Sequence, residues 1–277
     1  MKILKTITFT GFTLGAMVFS SASMASHAWG NYHWERSSNP LLLDLGDNVD
    51  LNWEGHLSTA SADWSESSVL DTTIISGSTK PKPCKAMSGN VQVCSERYGA
   101  NGWLGIASIS VSGDHITAGY VKVNDTYFNT PTYNTLEWRQ MVMCQEIGHT
   151  FGLGHQDENF DNPDLDTCMD YTSDPASNQI PNVHDYEQLN SIYAHFDNTN
   201  SGGDNGDSGG CNPRAPWCNG ASAADILASI EMNGPAQWGR LVSEHGPQEV
   251  YELDFGGGRK VITFVTWTLE RSHNHKH

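Results

Sequence analysis

Apolar positions along the chain fall into two alternating rhythms. Residues 57–65 carry the spacing of a short helix, and the β-branched run at 69–75 reads as a strand. Two more strands follow at 103–111 (WLGIASISV) and 116–123. Asn134 then opens a helix, with Glu137 three residues on as a capping box. In residues 183–196, Tyr186, Leu189, Ile192 and Tyr193 lie near helical spacing, which predicts a second amphipathic helix. The alternation of strand and helix over 29–196 predicts an α/β domain. Residues 197–210, DNTNSGGDNGDSGG, hold nothing that can enter a core and read as a flexible linker. In 211–277 a tight Cys211–Cys218 loop precedes a short helix at 222–232. Two strands, 249–255 and 260–269, then flank Gly256-Gly257-Gly258 as a hairpin. This last part is too small for much core of its own, so it leans on its disulfide or on the larger domain. It carries no functional reading.

The first residues have a different pattern. Lys2 and Lys5 precede an uncharged, mostly apolar run to about residue 20, and small residues cluster at Ser23-Met24-Ala25 and Ser26-His27-Ala28. That order marks residues 1–28 as a secretory leader, cleaved after Ala25 or Ala28. A membrane anchor is the competing reading, but Gly and Thr break the run and it falls short of a comfortable span. No later segment is apolar enough to cross a bilayer, so the expected location is secreted, extracellular or periplasmic. Export changes how the six cysteines read. Cys84, Cys94, Cys144, Cys168, Cys211 and Cys218 form three near pairs, and we expect bridges 84–94, 144–168 and 211–218. No CxxC pair is present, which argues against a cysteine zinc site. With 32 acidic against 15 basic residues, the chain has a formal charge of −17. That balance argues against nucleic acid or an anionic membrane as its main partner.

Candidate chemistry concentrates in residues 144–171, CQEIGHTFGLGHQDENFDNPDLDTCMDY. On a helix, Gln145 and His149 share a face and Glu146 sits beside them. Gly152 allows a sharp exit, because glycine tolerates positive φ. The turn can bring His155 back to the same point. Two imidazoles, an amide oxygen and a carboxylate suit a catalytic metal, since hydrolytic zinc takes three protein ligands and keeps a position for water. Zinc lowers the pKa of such a water from 15.7 to ~7, and a nearby Glu can take its proton and pass it to a leaving amine.

The run 145–155, QEIGHTFGLGH, followed by Cys168-Met169-Asp170-Tyr171, resembles the metzincin clan of zinc endopeptidases, with their H-E-x-x-H-x-x-G-x-x-H signature and Met-turn. Met-x-Tyr is similar to astacins and serralysins, whereas GHTFGLGH is closer to matrixins. The resemblance covers roughly residues 30–197 and is most specific over 135–171. It implies a twisted mixed sheet with an active-site helix and a C-terminal helix, to which 211–277 adds a small β-rich segment. Carried over by position, it makes Gln145, His149 and His155 the Zn2+ ligands, and Glu146 the general base and acid. Tyr171 becomes an auxiliary ligand or oxyanion donor, and Met169 the floor of the site. Strand 103–111 becomes the edge that pairs with an extended protein or peptide substrate. Cys144 and Cys168 directly precede Gln145 and Met169, so a bridge between them would tie floor to helix.

Two features depart from the family pattern. Gln145 stands where the clan has histidine. A Gln oxygen is a neutral, harder donor, so zinc affinity should fall and manganese or calcium become less implausible. Tyr171 closing in, or His115 reaching over from its strand, would compensate. There is also no obvious pro-segment or blocking cysteine before about residue 31, so latency is absent or arranged otherwise. Asp157, Glu158, Asp161, Asp164 and Asp166 read as a solvated acidic loop, with a structural Ca2+ as the alternative. Gly206-Asp207-Ser208-Gly209-Gly210 matches a serine-protease motif but lies in the linker, where no His and Asp can be held in reach. Two functions remain: a secreted metalloendopeptidase, or a catalytically inactive peptide-binding pseudoprotease that keeps the fold.

Overall fold

A computed structural model describes residues 26–157, 162–197, 221–230, 232 and 234–274. The elements run β1 (His33–Trp34), β2 (Leu41–Asn48), α1 (Glu54–Trp64), β3 (Leu70–Ser76), β4 (Met87–Ser88), β5 (Val91–Glu96), β6 (Trp103–Ser112), β7 (His115–Asn124), α2 (Asp125–Phe128), α3 (Leu136–His149) and α4 (Val183–Ile192). They continue with α5 (Ala223–Ser229), α6 (Pro235–Trp238), β8 (Arg240–His245), β9 (Gln248–Gly256), β10 (Arg259–Trp267) and α7 (Leu269–Asn274). The strands form one mixed sheet in the order β3-β2-β5-β7-β6-β10-β9-β8, with β1 and β4 paired to β7. Strands β2, β3, β5 and β7 pair in parallel, and β7, β6, β10, β9 and β8 antiparallel. The result is a largely β, mixed α/β architecture.

Strand β6 decides where everything else goes. Its residues are buried from Trp103 through Val111, the continuous burial of a strand covered on both faces. On one face lies the core under α1 and α3, including Trp53, Trp64, Val142, Ile147, Phe151 and Phe264. On the other lies a second core in which Ala224, Leu227, Trp238, Tyr251 and Trp267 close over Trp103, Ile106 and Tyr120. The family resemblance implies an edge position for β6. In the structure β10 pairs with it from Trp267↔Trp103 to Arg259↔Ser112. From Val261 to Trp267 β10 is buried without a break, as a strand inside a covered sheet is, with β6 on one side and β9 on the other.

The helix boundaries follow from their caps. Helix α3 starts one residue later than Asn134 would place it, because the extended Thr135 accepts from Trp138 N–H while the Asn134 N–H donates to Thr130. Helix α4 begins on a capping box between Asn182 and Asp185. It stops at Ile192, short of residue 196, because the Tyr193 carbonyl is taken by the Arg36 guanidinium and its hydroxyl by Phe151 O. The glycine turn 256–258 joins β9 to β10 with all three φ angles positive.

Bridges 84–94 and 144–168 are formed. Cys211, Cys218, residues 1–25 of the expected leader and residues 198–210 of the expected linker lie outside the described residues. No described helix is long and apolar enough to cross a membrane. Residues 26–28, the end of the expected leader, are built into the fold. His27 is buried, its carbonyl accepts from Gly154 N–H at 2.6 Å, and Ala28 bridges to Leu153.

Candidate metal centre and active site

Helix α3 is buried without interruption from Trp138 to His149. It is wedged between the sheet and α1, whose Trp64 indole donates to Cys144 O at 3.0 Å. This wedge delivers Gln145, Glu146 and His149 into the interior. After Thr150 the chain turns at Gly152, φ +92°, where any Cβ would collide with the Tyr32 carbonyl. Trp29 N–H donates to Gly152 O at 2.8 Å, so the segment around residue 28 holds the turn from outside. The turn brings His155 beside His149, with ring centroids 4.6 Å apart.

The two imidazoles have no hydrogen-bonding use for their inner nitrogens. His149 Nδ1 lies 2.9 Å from Leu153 O, and a carbonyl only accepts, so the proton sits on Nδ1 and Nε2 carries a bare lone pair. His149 Nε2, His155 Nε2 and Glu146 Oε2 are all buried without a hydrogen-bond partner. Burial lowers His149 to about 4, against the pull of the Leu153 carbonyl, and holds His155 well below its ordinary range. Both rings are therefore neutral at physiological pH. Burial raises Glu146 to about 8, opposed by hydrogen bonds from Thr266 and the Ala107 N–H. Gly105 makes room for this carboxyl, since a Cβ there would lie 2.5 Å from Glu146 Oε1.

Gln145 has a different environment. Its Nε2 donates to Cys168 O at 2.9 Å, and its Oε1 accepts from Gln248 Nε2 at 2.9 Å. The Thr266 hydroxyl lies 3.1 Å from the same oxygen and 2.6 Å from Glu146 Oε1. One proton serves one acceptor, and the shorter contact takes it. The carboxamide is thus engaged at both ends. Met169 packs under the helix: a Cβ on Gly148 would meet its sulfur at 2.6 Å. The Tyr171 ring stands 4.3 Å from that of His155.

The C-terminal strands close the site. Phe264 stacks on His149 at 4.2 Å and 5°. The space between Gln145, Tyr171, Gln248, Thr266 and Trp267 is about 10 Å³, barely one water. Sequence reasoning missed Gln248, Phe264 and Thr266. Their only signal is polar residues breaking the apolar run VITFVTW and a Gln at the start of its partner strand.

His115 does not reach α3. It lies with His33 and Asp197 in a group whose ligand atoms are all within 4.8 Å of one another, and this His–His–Asp group could hold a metal. No other trio of His, Cys, Asp or Glu so converges among the described residues. In the acidic loop, Asp157 accepts from Asn162 and Asp164 from Ser177, while Glu158 and Asp161 lie outside the described residues.

No family model matches the chain, and no curated protein matches it. Two solved structures of myroilysin are similar to it at 11% identity. One has a TM-score of 0.36 and covers 61% of this chain and 98% of its own. The other has a TM-score of 0.33 and covers 60% and 87%. Likeness of this degree assigns neither a family nor a chemistry.

Proposed function

We propose that the chain is a secreted zinc-dependent metalloendopeptidase, here in a latent form closed by its own C-terminal strands. One observation carries the reading: His149 Nε2 and His155 Nε2 are buried and unpartnered beside an unpartnered Glu146 Oε2. Buried polar atoms left unsatisfied cost ~1–3 kcal/mol each, and a cation between the imidazoles would remove that penalty. The donors fit zinc, because a ligating imidazole commonly fixes its tautomer by donating its other N–H to a carbonyl. Gln145 fits as a third ligand only once Gln248 and Thr266 withdraw. The buried helix, the turn at Gly152 and Met169 under Gly148 support the metzincin-like reading of the fold.

When bound, zinc supplies a Lewis acid for the scissile carbonyl. Glu146 does the proton work: a carboxyl raised to about 8 exchanges protons near neutrality. It takes one from the attacking water and returns it to the leaving amine. Tyr171, whose ring lies 4.3 Å from that of His155, would donate to the developing oxyanion. An extended polypeptide would add to β6, the position that β10 fills, so activity requires β10 to yield.

The test is hydrolysis of a casein-type substrate by zinc-loaded protein, intact and after cleavage at a protease site engineered between Gly203 and Asp204. Activity should rise on cleavage, and should vanish with a chelator or with Glu146→Gln. If wild type and Glu146→Gln share one background, the enzyme reading fails. The second reading, an inactive peptide-binding pseudoprotease, is favoured by the doubly engaged Gln145 carboxamide, and that outcome would select it.

A further inference from the structure

The His33–His115–Asp197 group shares no residue with the α3 site, and its local chemistry is unusual. Three imidazole nitrogens crowd one carboxylate oxygen. Asp197 Oδ1 lies 3.5 Å from His33 Nε2, 3.2 Å from His115 Nε2 and 3.3 Å from His195 Nε2. The carboxylate is aimed from behind, since its Oδ2 accepts from the Arg36 N–H at 2.6 Å. His33 Nδ1 lies 2.7 Å from the Asn31 carbonyl, which only accepts, so the ring proton belongs there. A neutral His33 therefore turns a bare lone pair towards an anionic oxygen. That contact becomes favourable when a proton on Nε2 or a metal cation stands between the two.

We propose that this cluster is a second metal site, holding one zinc-class divalent ion through His33 Nε2, His115 Nε2 and Asp197 Oδ1, with the fourth position left to solvent. Zinc–nitrogen bonds of about 2.0–2.1 Å place tetrahedral ligands about 3.3 Å apart; the N···O separations of 3.2 Å from His115 and 3.5 Å from His33 fall around that value, and all three ligand atoms lie within 4.8 Å of one another. The Asn31 carbonyl plays the outer-shell part, fixing the tautomer that frees Nε2. Imidazole-rich donors with a single carboxylate select zinc, copper or nickel over calcium or magnesium. The inner ligands are enclosed, with His33 and Asp197 side chains 9% and 11% exposed, while His115 and His195 are 43% and 55% exposed. A cavity of about 420 Å³ lined by His33, Asp114, Gln188 and His195 opens beside them and provides an entry path.

The placement assigns the ion a structural task. His33 lies on β1, directly after the segment that pins the Gly152 turn. His115 begins β7, and Asp197, the first residue of the expected linker, is itself held in the fold by Arg36 N–H. One ion would clasp the N-terminal wall, the sheet and the start of the linker together.

The experiment counts zinc in purified full-length protein after saturation and removal of excess metal. It compares wild type, His115→Ala, and a His149→Ala/His155→Ala variant. His115→Ala should lower the count by one per chain against wild type. The double variant should keep one ion that His115→Ala, added to it, removes. The terminal His273, His275 and His277 are common to all forms, so only differences count. In the double variant zinc should also raise Tm, as expected for an ion bound only by the folded state, and His115→Ala should abolish that rise. If the double variant does not fold, the comparison of wild type with His115→Ala stands alone. An unchanged zinc count in His115→Ala overturns the proposal and leaves a proton-sharing histidine cluster. Failure of the α3 site would instead appear as an unchanged count in His149→Ala/His155→Ala.

Discussion

Gln145 and Glu146 are neighbours in sequence, yet their surroundings set them opposite tasks. Gln145 is neutral and tied by its amide to Cys168 O and Gln248. Replacing it with histidine supplies a third imidazole. Gln145→His should raise zinc affinity at least tenfold, measured by competition with a chromophoric chelator, and should raise hydrolysis with it. The same change takes the Gln145 partner from Cys168 O and from Gln248 Nε2, so the metal-free variant should lose about 1–3 kcal/mol of stability in urea. Glu146 gives a pH prediction for chelator-treated protein. Its folded pKa of about 8 lies above the ordinary value of 4.5, so the folded state binds the extra proton and stability falls as pH rises from 4.5 to 8. His149 runs the other way, from about 4 to its ordinary 6.5, so its contribution rises only up to pH 6.5. The window from pH 6.5 to 8 therefore isolates Glu146. Wild type should lose up to about 2 kcal/mol across it relative to Glu146→Gln, read from denaturant midpoints at each pH. Parallel curves for the two proteins would contradict this environment for the carboxyl.

At the scale of elements, β10 is both a sheet member and a lid. Thr266 is its link to the Glu146 carboxyl. Thr266→Val keeps the shape and removes the hydroxyl, leaving Glu146 Oε1 with the Ala107 N–H alone. Stability should fall by roughly 1–3 kcal/mol, and amide exchange along β10 should accelerate. The segment at residues 26–28 is the other wall. Of the two leader cleavage positions, the bond after Ala25 leaves the contacts from His27 O to Gly154 and from Ala28 to Leu153 in place. Cleavage after Ala28 would strip them away. If the proposed leader is removed, the product should therefore begin at Ser26, which intact mass measurement resolves directly; a product beginning at Trp29 would contradict it.

Much of the element order was legible because core-facing positions keep their period, as in β3, β6, β7 and the β9–β10 hairpin. Strand β2 escaped because Leu42 is 67% exposed among buried Leu41, Leu43 and Leu45, which disguises its alternation as a solid apolar run. Strand β5 escaped because Gln92 is fully buried, held by Asn48 and Asn90, where the pattern would place a surface residue. The helix-and-turn part of the candidate site was legible because Gln145, Glu146, His149, Gly152 and His155 are local to one stretch. Its cover was not. Gln248 and Thr266 meet Gln145 across 103 and 121 residues, and no short-range pattern encodes such a meeting. His115 shows the same limit: its spacing offered a rescue for Gln145, and the topology carried it to Asp197 instead.

The whole molecule is organised on a single sheet whose last strands cover the residues that α3 carries into the interior. The C-terminal segment supplies Ala224, Leu227, Trp238 and Trp267 to the second core, so the cover is integral to the fold in the form described. The disulfide from Cys144 to Cys168 fastens helix to floor, and by the chain-entropy estimate such a loop contributes about 3 kcal/mol.

The central claim is that His149 and His155 together grip a cation. Calorimetric titration of Zn2+ into chelator-treated His115→Ala protein, in which the second cluster is disabled, tests it most directly. The account predicts a saturable site that disappears when His155→Ala is added. An identical titration with and without His155→Ala, in protein shown to be folded, would contradict it.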